Sequence, residues 1–221
     1  MDNAIEFKNV FKSFTSQVVL ENASIIIPTV GLSVFYGRSG IGKSTLFSLT
    51  AGLDMVDQGE IFLRDKLVSK KGWNLPCGER NLSMQFQGLA LWPHMNVSGH
   101  LTFVTDHIDT RRLHEIIDMV GLPQEKLTAF PYELSGGECQ RVAIARTIAA
   151  DTDIMLFDEP FNNLDESLQV QICKVFADLS QHKSIVIIQH DTTVLALHIN
   201  VNQWYKMENS NNKATVSLVD P

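Results

Sequence analysis

Residues 37–45 read Gly37-Arg38-Ser39-Gly40-Ile41-Gly42-Lys43-Ser44-Thr45 and fit the phosphate-loop pattern G-x-x-x-x-G-K-[ST] without a mismatch. Ahead of them, Leu32-Ser33-Val34-Phe35-Tyr36 reads as a short buried strand. Behind them, Leu46, Phe47, Leu49 and Leu53 recur at helical spacing. A strand, a glycine-rich turn and a helix N-terminus are the context this motif requires. Backbone N–H groups, uncovered where glycines lack a Cβ, point at a polyphosphate, and the helix dipole adds partial positive charge there. Lys43 is placed for the β- and γ-phosphates, and the Ser44 hydroxyl for a Mg²⁺ between them. A chance Lys-Ser after a glycine turn would lack that flanking strand and helix. The stretch predicts a nucleotide site.

The 221 residues suit one domain with room for a small subdomain, and 44% hydrophobic and 19% charged residues are proportions of a soluble globular chain. A net charge of −7 offers no basic surface for non-specific nucleic-acid binding. Cys77, Cys139 and Cys173 share no metal-like or disulfide-like spacing and read as free thiols of a reducing compartment. Met1-Asp2-Asn3 lacks the basic-then-apolar pattern of a signal peptide. No apolar run approaches the ~20 residues that span a bilayer. The longest candidate, Ile25 to Tyr36, is broken by Pro28 and Gly31. Any work at a membrane is therefore expected to go through a partner chain.

Along the chain, Ile5, Phe7 and Val10 mark a first strand and Val18 to Ile27 a second. Gly59 to Leu63 reads as a strand, whereas residues 66–80, polar with Gly72, Pro76 and Gly78, read as loop. Leu82, Met84 and Phe86 alternate into Gln87. Residues from about 98 to 130 turn helical, with Leu113, Ile116, Ile117 and Val120 on one stripe, ended by Gly121 and Pro123. Leu134-Ser135-Gly136-Gly137 opens a further helix through Val142, Ile144, Ala145 and Ile148. Ile154-Met155-Leu156-Phe157 is a buried strand ending in Asp158-Glu159-Pro160. Leu168, Ile172, Val175, Phe176 and Leu179 make another helix, and Ser184 to Ile188 a last strong strand that delivers Gln189-His190-Asp191. Glu208 to Lys213 reads as a polar turn.

Asp158 closes a strand at the edge where ligands of open α/β sheets collect, so its carboxylate can complete the Mg²⁺ shell begun by Ser44. Glu159 is placed to activate the attacking water, a role typically worth ~10²–10⁴ in rate. Gln87, also at a strand end, can reach Mg²⁺ or the water through its amide oxygen. His190 closes a strand and can aim a ring nitrogen at the γ-phosphate, while His94, His100, His107, His114, His182 and His198 read as structural. Ser135-Gly136-Gly137 offers a second anion cradle: a hydroxyl, bare amides and a helix N-terminus. In isolation it would pass for a simple N-cap. Two cradles and one γ-phosphate predict a dimer in which each chain caps the other's nucleotide.

Together these motifs resemble the ATP-binding subunit of ABC transporters, from about Ile5 to His190. Gly37 to Thr45 looks like the Walker A motif, Ile154 to Glu159 like Walker B, and Gln87 like the Q-loop. Leu134-Ser135-Gly136-Gly137-Glu138 looks like the signature, Asn162-Asn163-Leu164-Asp165 like the D-loop, and His190 like the switch histidine. Phe14 falls where the family carries an aromatic that stacks on adenine; as bare sequence it reads equally well as a core residue. Glu138 stands where glutamine is commoner, Asn162 where a small serine is usual, and Asn200-Val201 where an Asp-Arg pair is common.

The resemblance implies one ABC-type ATPase domain over residues 1–221. Its fold class would be α/β: a phosphate-loop NTPase core with an N-terminal antiparallel β subdomain and an inserted helical subdomain at about 88–135. ATP would be held by Phe14, Gly37, Ser39, Gly40, Gly42, Lys43, Ser44 and Thr45, and capped by Ser135 and Gly137. Mg²⁺ would be held by Ser44, Gln87 and Asp158, with Glu159, His190 and Gln87 catalytic. The implied function is ATP hydrolysis driving transport through a separate membrane-spanning permease. The chain would sit at the cytoplasmic face as a homodimer or paired with another ATPase subunit, with no nucleic-acid partner. Phe86 to Met95 looks most like importers of sugars, polyamines and oxyanions. The alternative is a non-transport ABC ATPase acting on nucleic acid or the ribosome, but such relatives usually carry two ATPase halves or long inserts. The signature argues against a kinase, and Asn212-Lys213-Ala214-Thr215 lacks the aspartate of a guanine-reading N-K-x-D.

Overall fold

The computed structural model describes residues 3–15, 17–105, 108–210 and 213–219. Strands β1 (Asn3–Phe14) and β2 (Gln17–Pro28) pair as antiparallel neighbours, and β3 (Gly31–Gly37) leads through the phosphate loop into α1 (Lys43–Ala51). Next come β4 (Gln58–Leu63), β5 (Lys66–Lys70), β6 (Trp73–Asn74) and β7 (Leu82–Gln85), then α2 (Val97–Phe103) and α3 (Thr110–Met119). The chain continues through α4 (Gly136–Ala149), β8 (Ile154–Asp158), α5 (Glu166–Leu179) and β9 (Ser184–Gln189). It ends with α6 (Thr193–His198), β10 (Gln203–Ser210) and β11 (Lys213–Val219).

Two sheets result. One runs in the order β11-β10-β3-β9-β8-β7, parallel except for β11 at its edge. The other, β2-β1-β4-β5-β6, is antiparallel. Leu156, Val186 and Ile188 share a core with Phe7, Ile25 and Ile61 of the antiparallel sheet and with Phe47 of α1. Their sequence neighbours Met155, Phe157, Ile185 and Ile187 belong to a second core with Ile144, Ile148, Ile172 and Phe176 of the helices. Both faces of the parallel sheet are covered, which is why the runs Ile154–Phe157 and Ile185–Ile188 are apolar at every position instead of at every second one. Each such side chain contributes about 1.5–3 kcal/mol by leaving water.

Three expectations change. Helix α1 stops at Gly52, which takes φ +83° and donates its N–H to the Leu49 and Ser48 carbonyls, so Leu53 lies outside the helix and stays exposed. Residues 66–80 are not a loop: they supply β5, β6 and a 3-10 turn at Cys77–Glu79. Their polarity misleads because solvent-facing lysines still pair as strands through their backbones, while the one charged side chain that turns inward is Arg80, only 3% exposed. Its guanidinium donates to the Leu49, Thr50, Val68 and Leu75 carbonyls and to Asn74 Oδ1, using the whole fork of donors to tie α1 to the antiparallel sheet. The helical stretch from 98 to 130 is broken into α2, α3 and a 3-10 turn at Gln124–Thr128, followed by another at Pro131–Glu133. Asn96 and Asp109 start α2 and α3 by accepting the N–H groups of Gly99 and Arg112. The expected stripe of Leu113, Ile116, Ile117 and Val120 is buried. His107 and the Asn211-Asn212 part of the polar turn lie outside the described residues. No helix among the described residues is long and apolar enough to cross a membrane.

Candidate functional site

The C-terminal ends of β3, β9, β8 and β7 lie side by side and deliver the phosphate loop, His190, Asp158-Glu159 and Gln87 to one edge of the sheet. Gly42 caps α1 with φ +105° and no side chain accepts the first-turn N–H groups, so they remain open to an anion. A Cβ on Gly42 would lie 2.5 Å from Val19 Cγ1, and one on Gly37 would lie 2.4 Å from the Met207 carbonyl of β10. The glycine at the entry to the loop is thus demanded by a neighbouring strand. Lys43 is buried, and its Nζ donates to the Gly37 and Arg38 carbonyls at 2.8 and 2.9 Å. Burial lowers its pKa, against the pull of Glu159 and Asp158.

Asp158 is 3% exposed. Burial raises its pKa, the Ser44 hydroxyl bonded to it lowers it, Glu159 raises it and Lys43 lowers it. Glu159 sits at φ +54°, a left-handed conformation costly for a side-chain-bearing residue. Its backbone is tied on both sides: its N–H donates to the Ile188 carbonyl at 2.9 Å, and its carbonyl accepts from Gln140 Nε2 at 3.3 Å. Its Oε2 accepts from Gln87 Nε2 at 3.0 Å and from Asn162 Nδ2 at 2.8 Å. Among the described residues no cluster of three His, Cys, Asp or Glu offers a metal cage. Ser44 and Asp158 instead present hard oxygens side by side, a partial set that suits Mg²⁺ arriving with phosphates and waters.

Phe14, Gln17 and Val19 face the phosphate loop across a cleft of about 340 Å³ that Gln87 and Glu159 also line. The Phe14 ring is 42% exposed, so it is no core residue. Lys12 Nζ lies 4.7 Å from its centroid, anchored by the Met55 carbonyl at 2.9 Å and flanked by Asp54 and Asp57. Ser39, Gly40, Gly42, Lys43, Ser44 and Thr45 all line this cleft, whereas Gly37 contributes its carbonyl to Lys43.

Ser135, Gly137 and His190 are not brought into the cleft. Ser135 caps α4: its Oγ accepts the Glu138 N–H at 3.2 Å while Glu138 Oε2 accepts the Ser135 N–H at 2.8 Å. Lys126 Nζ lies 2.9 Å from Glu138. A Cβ on Gly137 would meet the Asn163 carbonyl at 2.6 Å, which holds the start of α4 against the turn after β8. His190 is exposed just beyond β9.

The sequence reading missed two buried glutamines. Gln85 Nε2 donates to the Phe86 and Asp158 carbonyls at 2.7 and 3.2 Å, and Gln140 Nε2 donates to the Pro160 carbonyl at 3.0 Å as well as to Glu159. A lone amide in a strand or at the start of a helix was their only signal. Past Gln87, Arg146 of α4 donates to the Leu89 and Ala90 carbonyls, and His100 Nε2 accepts the Trp92 N–H at 2.8 Å. His100 is structural, as expected.

A family model described as ABC transporter matches residues 20–162. The chain belongs to the ABC transporter family. Among curated relatives, this ABC transporter chain is 33% identical over 196 residues to the "Fe(3+) ions import ATP-binding protein FbpC" of Yersinia pestis bv. Antiqua, covering 86% of this chain and 56% of that one. It is 35% identical over 199 residues to the protein of the same name from Pseudomonas fluorescens, covering 89% and 54%. The chain spans about half the length of the curated relatives it matches. In fold it is similar to the dimeric structure of a bacterial ABC transporter cassette, with a TM-score of 0.82 at 24% identity over 98% of this chain and 99% of that one. It is equally similar to a bacterial Atm1-family ABC exporter with ATP bound, with a TM-score of 0.83 at 20% identity over 97% of this chain and 38% of that one. The ABC fold therefore does not distinguish import from export.

Proposed function

We propose that the chain binds Mg-ATP in the cleft beside Gly37 to Thr45, hydrolyses it, and so powers import through a separate membrane-spanning permease that holds it at the cytoplasmic face. The observation that carries this reading is the convergence of Lys43, the Ser44–Asp158 pair and Glu159 in one place. The open N–H groups of α1 and Lys43 bind the phosphates, and Phe14 stacks on the adenine. Ser44 Oγ, Asp158 and the Gln87 amide oxygen would hold Mg²⁺, which when bound offsets the phosphate charge. Glu159 accepts a proton from water as its oxygen attacks the γ-phosphorus; the bond to the β–γ bridging oxygen breaks and ADP leaves. His190, exposed just beyond β9, would turn its ring toward the γ-phosphate once the nucleotide is bound.

Ser135 and Gly137 act on the nucleotide of a second ATPase subunit, either a copy of this chain or a paired one. Residues 1–221 work as one ATPase domain, with about 88–135 as its helical subdomain. The relatives' printed names make ferric iron the first cargo to test, ahead of the sugars, polyamines and oxyanions that the resemblance of Phe86 to Met95 suggests. No observation favours a nucleic-acid or ribosomal role.

The reading is tested by ATPase turnover. Lys43→Ala is expected to abolish hydrolysis and greatly weaken ATP binding, because the fixed charge beside the γ-phosphate is lost. Wild-type turnover in that variant would overturn it.

A further inference from the structure

Asn162 stands three residues beyond Glu159 in a turn that its own N–H closes onto the Glu159 carbonyl at 3.4 Å. Its Nδ2 and the Nε2 of Gln87 both donate to the same atom, Glu159 Oε2, at 2.8 and 3.0 Å. The two amides come from different elements, one from the turn after β8 and the other from the segment after β7. Oε1 accepts no hydrogen bond among the described residues. From this geometry we infer that Asn162 is a positioning residue for hydrolysis: with Gln87 it pins one oxygen of Glu159 and leaves the other to take the proton of the attacking water.

The chemistry rests on lone pairs. Each carboxylate oxygen has about two acceptor sites, and two amide donors occupy those of Oε2. Only Oε1 then remains to receive a proton. A free glutamate turns about three side-chain torsions and would present either oxygen in several directions. Here the backbone of Glu159 is held at φ +54° by Ile188 and Gln140, and the two amides remove the freedom that remains. In the proton-transfer step an O–H bond of water breaks, the proton goes to Oε1, and the oxygen bonds to the γ-phosphorus. The β–γ bridging oxygen leaves with its electron pair on ADP, and Glu159 later returns its proton to solvent. A serine at this position is shorter than asparagine and falls short of Oε2.

This inference rests on Glu159 being the base, and the experiment separates the two. ATP turnover by the full chain is measured for Asn162→Ala, Asn162→Ser, Asn162→Asp and Glu159→Gln, together with Tm. Asn162→Ala and Asn162→Ser are expected to lower kcat about tenfold with KM for ATP within about twofold, the pattern of an interaction that matters in the transition state. Asn162→Asp keeps the shape but sets a carboxylate against Glu159, and is expected to lose more than Asn162→Ala. Wild-type kcat in all three, with Glu159→Gln inactive, would overturn the role of Asn162 alone. Losses that track a fall in Tm would make it a turn residue and also overturn the inference. Turnover surviving in Glu159→Gln would instead remove the base and with it the proposed hydrolytic mechanism.

Discussion

Helices α1 and α4 both begin with glycines beside a hydroxyl, yet their N-termini are finished in opposite ways. At α1 the cap is Gly42, with no side chain to accept the first amides, and Lys43 bends back onto loop carbonyls. At α4 a complete capping box satisfies the end from within, and Lys126 pairs with the box's own carboxylate. The first end is unfinished without an anion; the second is stable in water and exposed. A helix end that encloses a ligand leaves its amides open, and under the proposed shared site the exposed end of α4 needs an internal cap until a second subunit arrives. If that site takes the partner's nucleotide as proposed, the Lys126–Glu138 pair matters most at the second end, because an uncompensated carboxylate there would repel a phosphate. Glu138 stays ionised at neutral pH, its pKa lowered by the Ser135 N–H and by Lys126.

The contrast is broken most directly across the dimer. Glu159→Gln should bind ATP without consuming it, dimerise with Mg-ATP and dissociate with ADP, since a ligand that prefers the dimer draws the equilibrium that way. Adding Ser135→Arg should abolish that dimer while Lys43 still holds ATP in each monomer. Size-exclusion chromatography with light scattering reads both, and a Glu159→Gln protein that stays monomeric with Mg-ATP at high concentration, even beside the proposed permease, refutes the shared site.

A smaller effect sharpens the same comparison. Lys126→Ala should weaken the ATP-dependent dimer about fivefold to tenfold, roughly 1–1.4 kcal/mol, and Lys126→Ala/Glu138→Gln should restore it. Analytical ultracentrifugation in the Glu159→Gln background measures the dissociation constants. No recovery in the double variant would mean that Lys126 acts through structure alone.

The smallest effect concerns the cost of leaving the first end open. Burial raises the Asp158 pKa above its unfolded value, so the stability of its protonated form is present below the unfolded pKa and lost as pH rises through the folded one. At neutral pH the ionised carboxylate therefore strains the nucleotide-free fold. Asp158→Asn should raise Tm by a few degrees, at about 2–4 °C per kcal/mol for a chain of this size, while turnover is lost. Differential scanning calorimetry without nucleotide checks it; a lower Tm would show that Asp158 stabilises the empty site through Lys43.

Much of the site was legible because its parts are strand ends. Apolar runs closed by Asp158-Glu159, by Gln87 and by His190 are enough to locate four groups at one sheet edge. What those groups touch was not legible. Gln87 and Glu159 are 72 residues apart, and nothing in either segment names the other as its hydrogen-bond partner. Arg80 was hidden for the opposite reason: the polar residues beside it face solvent, and only the fold turns Arg80 itself inward onto four carbonyls and an amide.

By itself, then, the sequence determined the phosphate loop, the buried parallel strands and the cap of α4, because each depends on residues within a few positions whose backbone preferences and hydrogen-bonding capacity act locally. The tertiary structure alone decided that Gly37 must be bare because Met207 crosses it, and that Lys12 backs Phe14 from between two aspartates. It also decided that Glu159 offers one oxygen and not two. These are contacts between segments far apart in the chain, and no local preference specifies them until the order of strands in the sheet has made them neighbours.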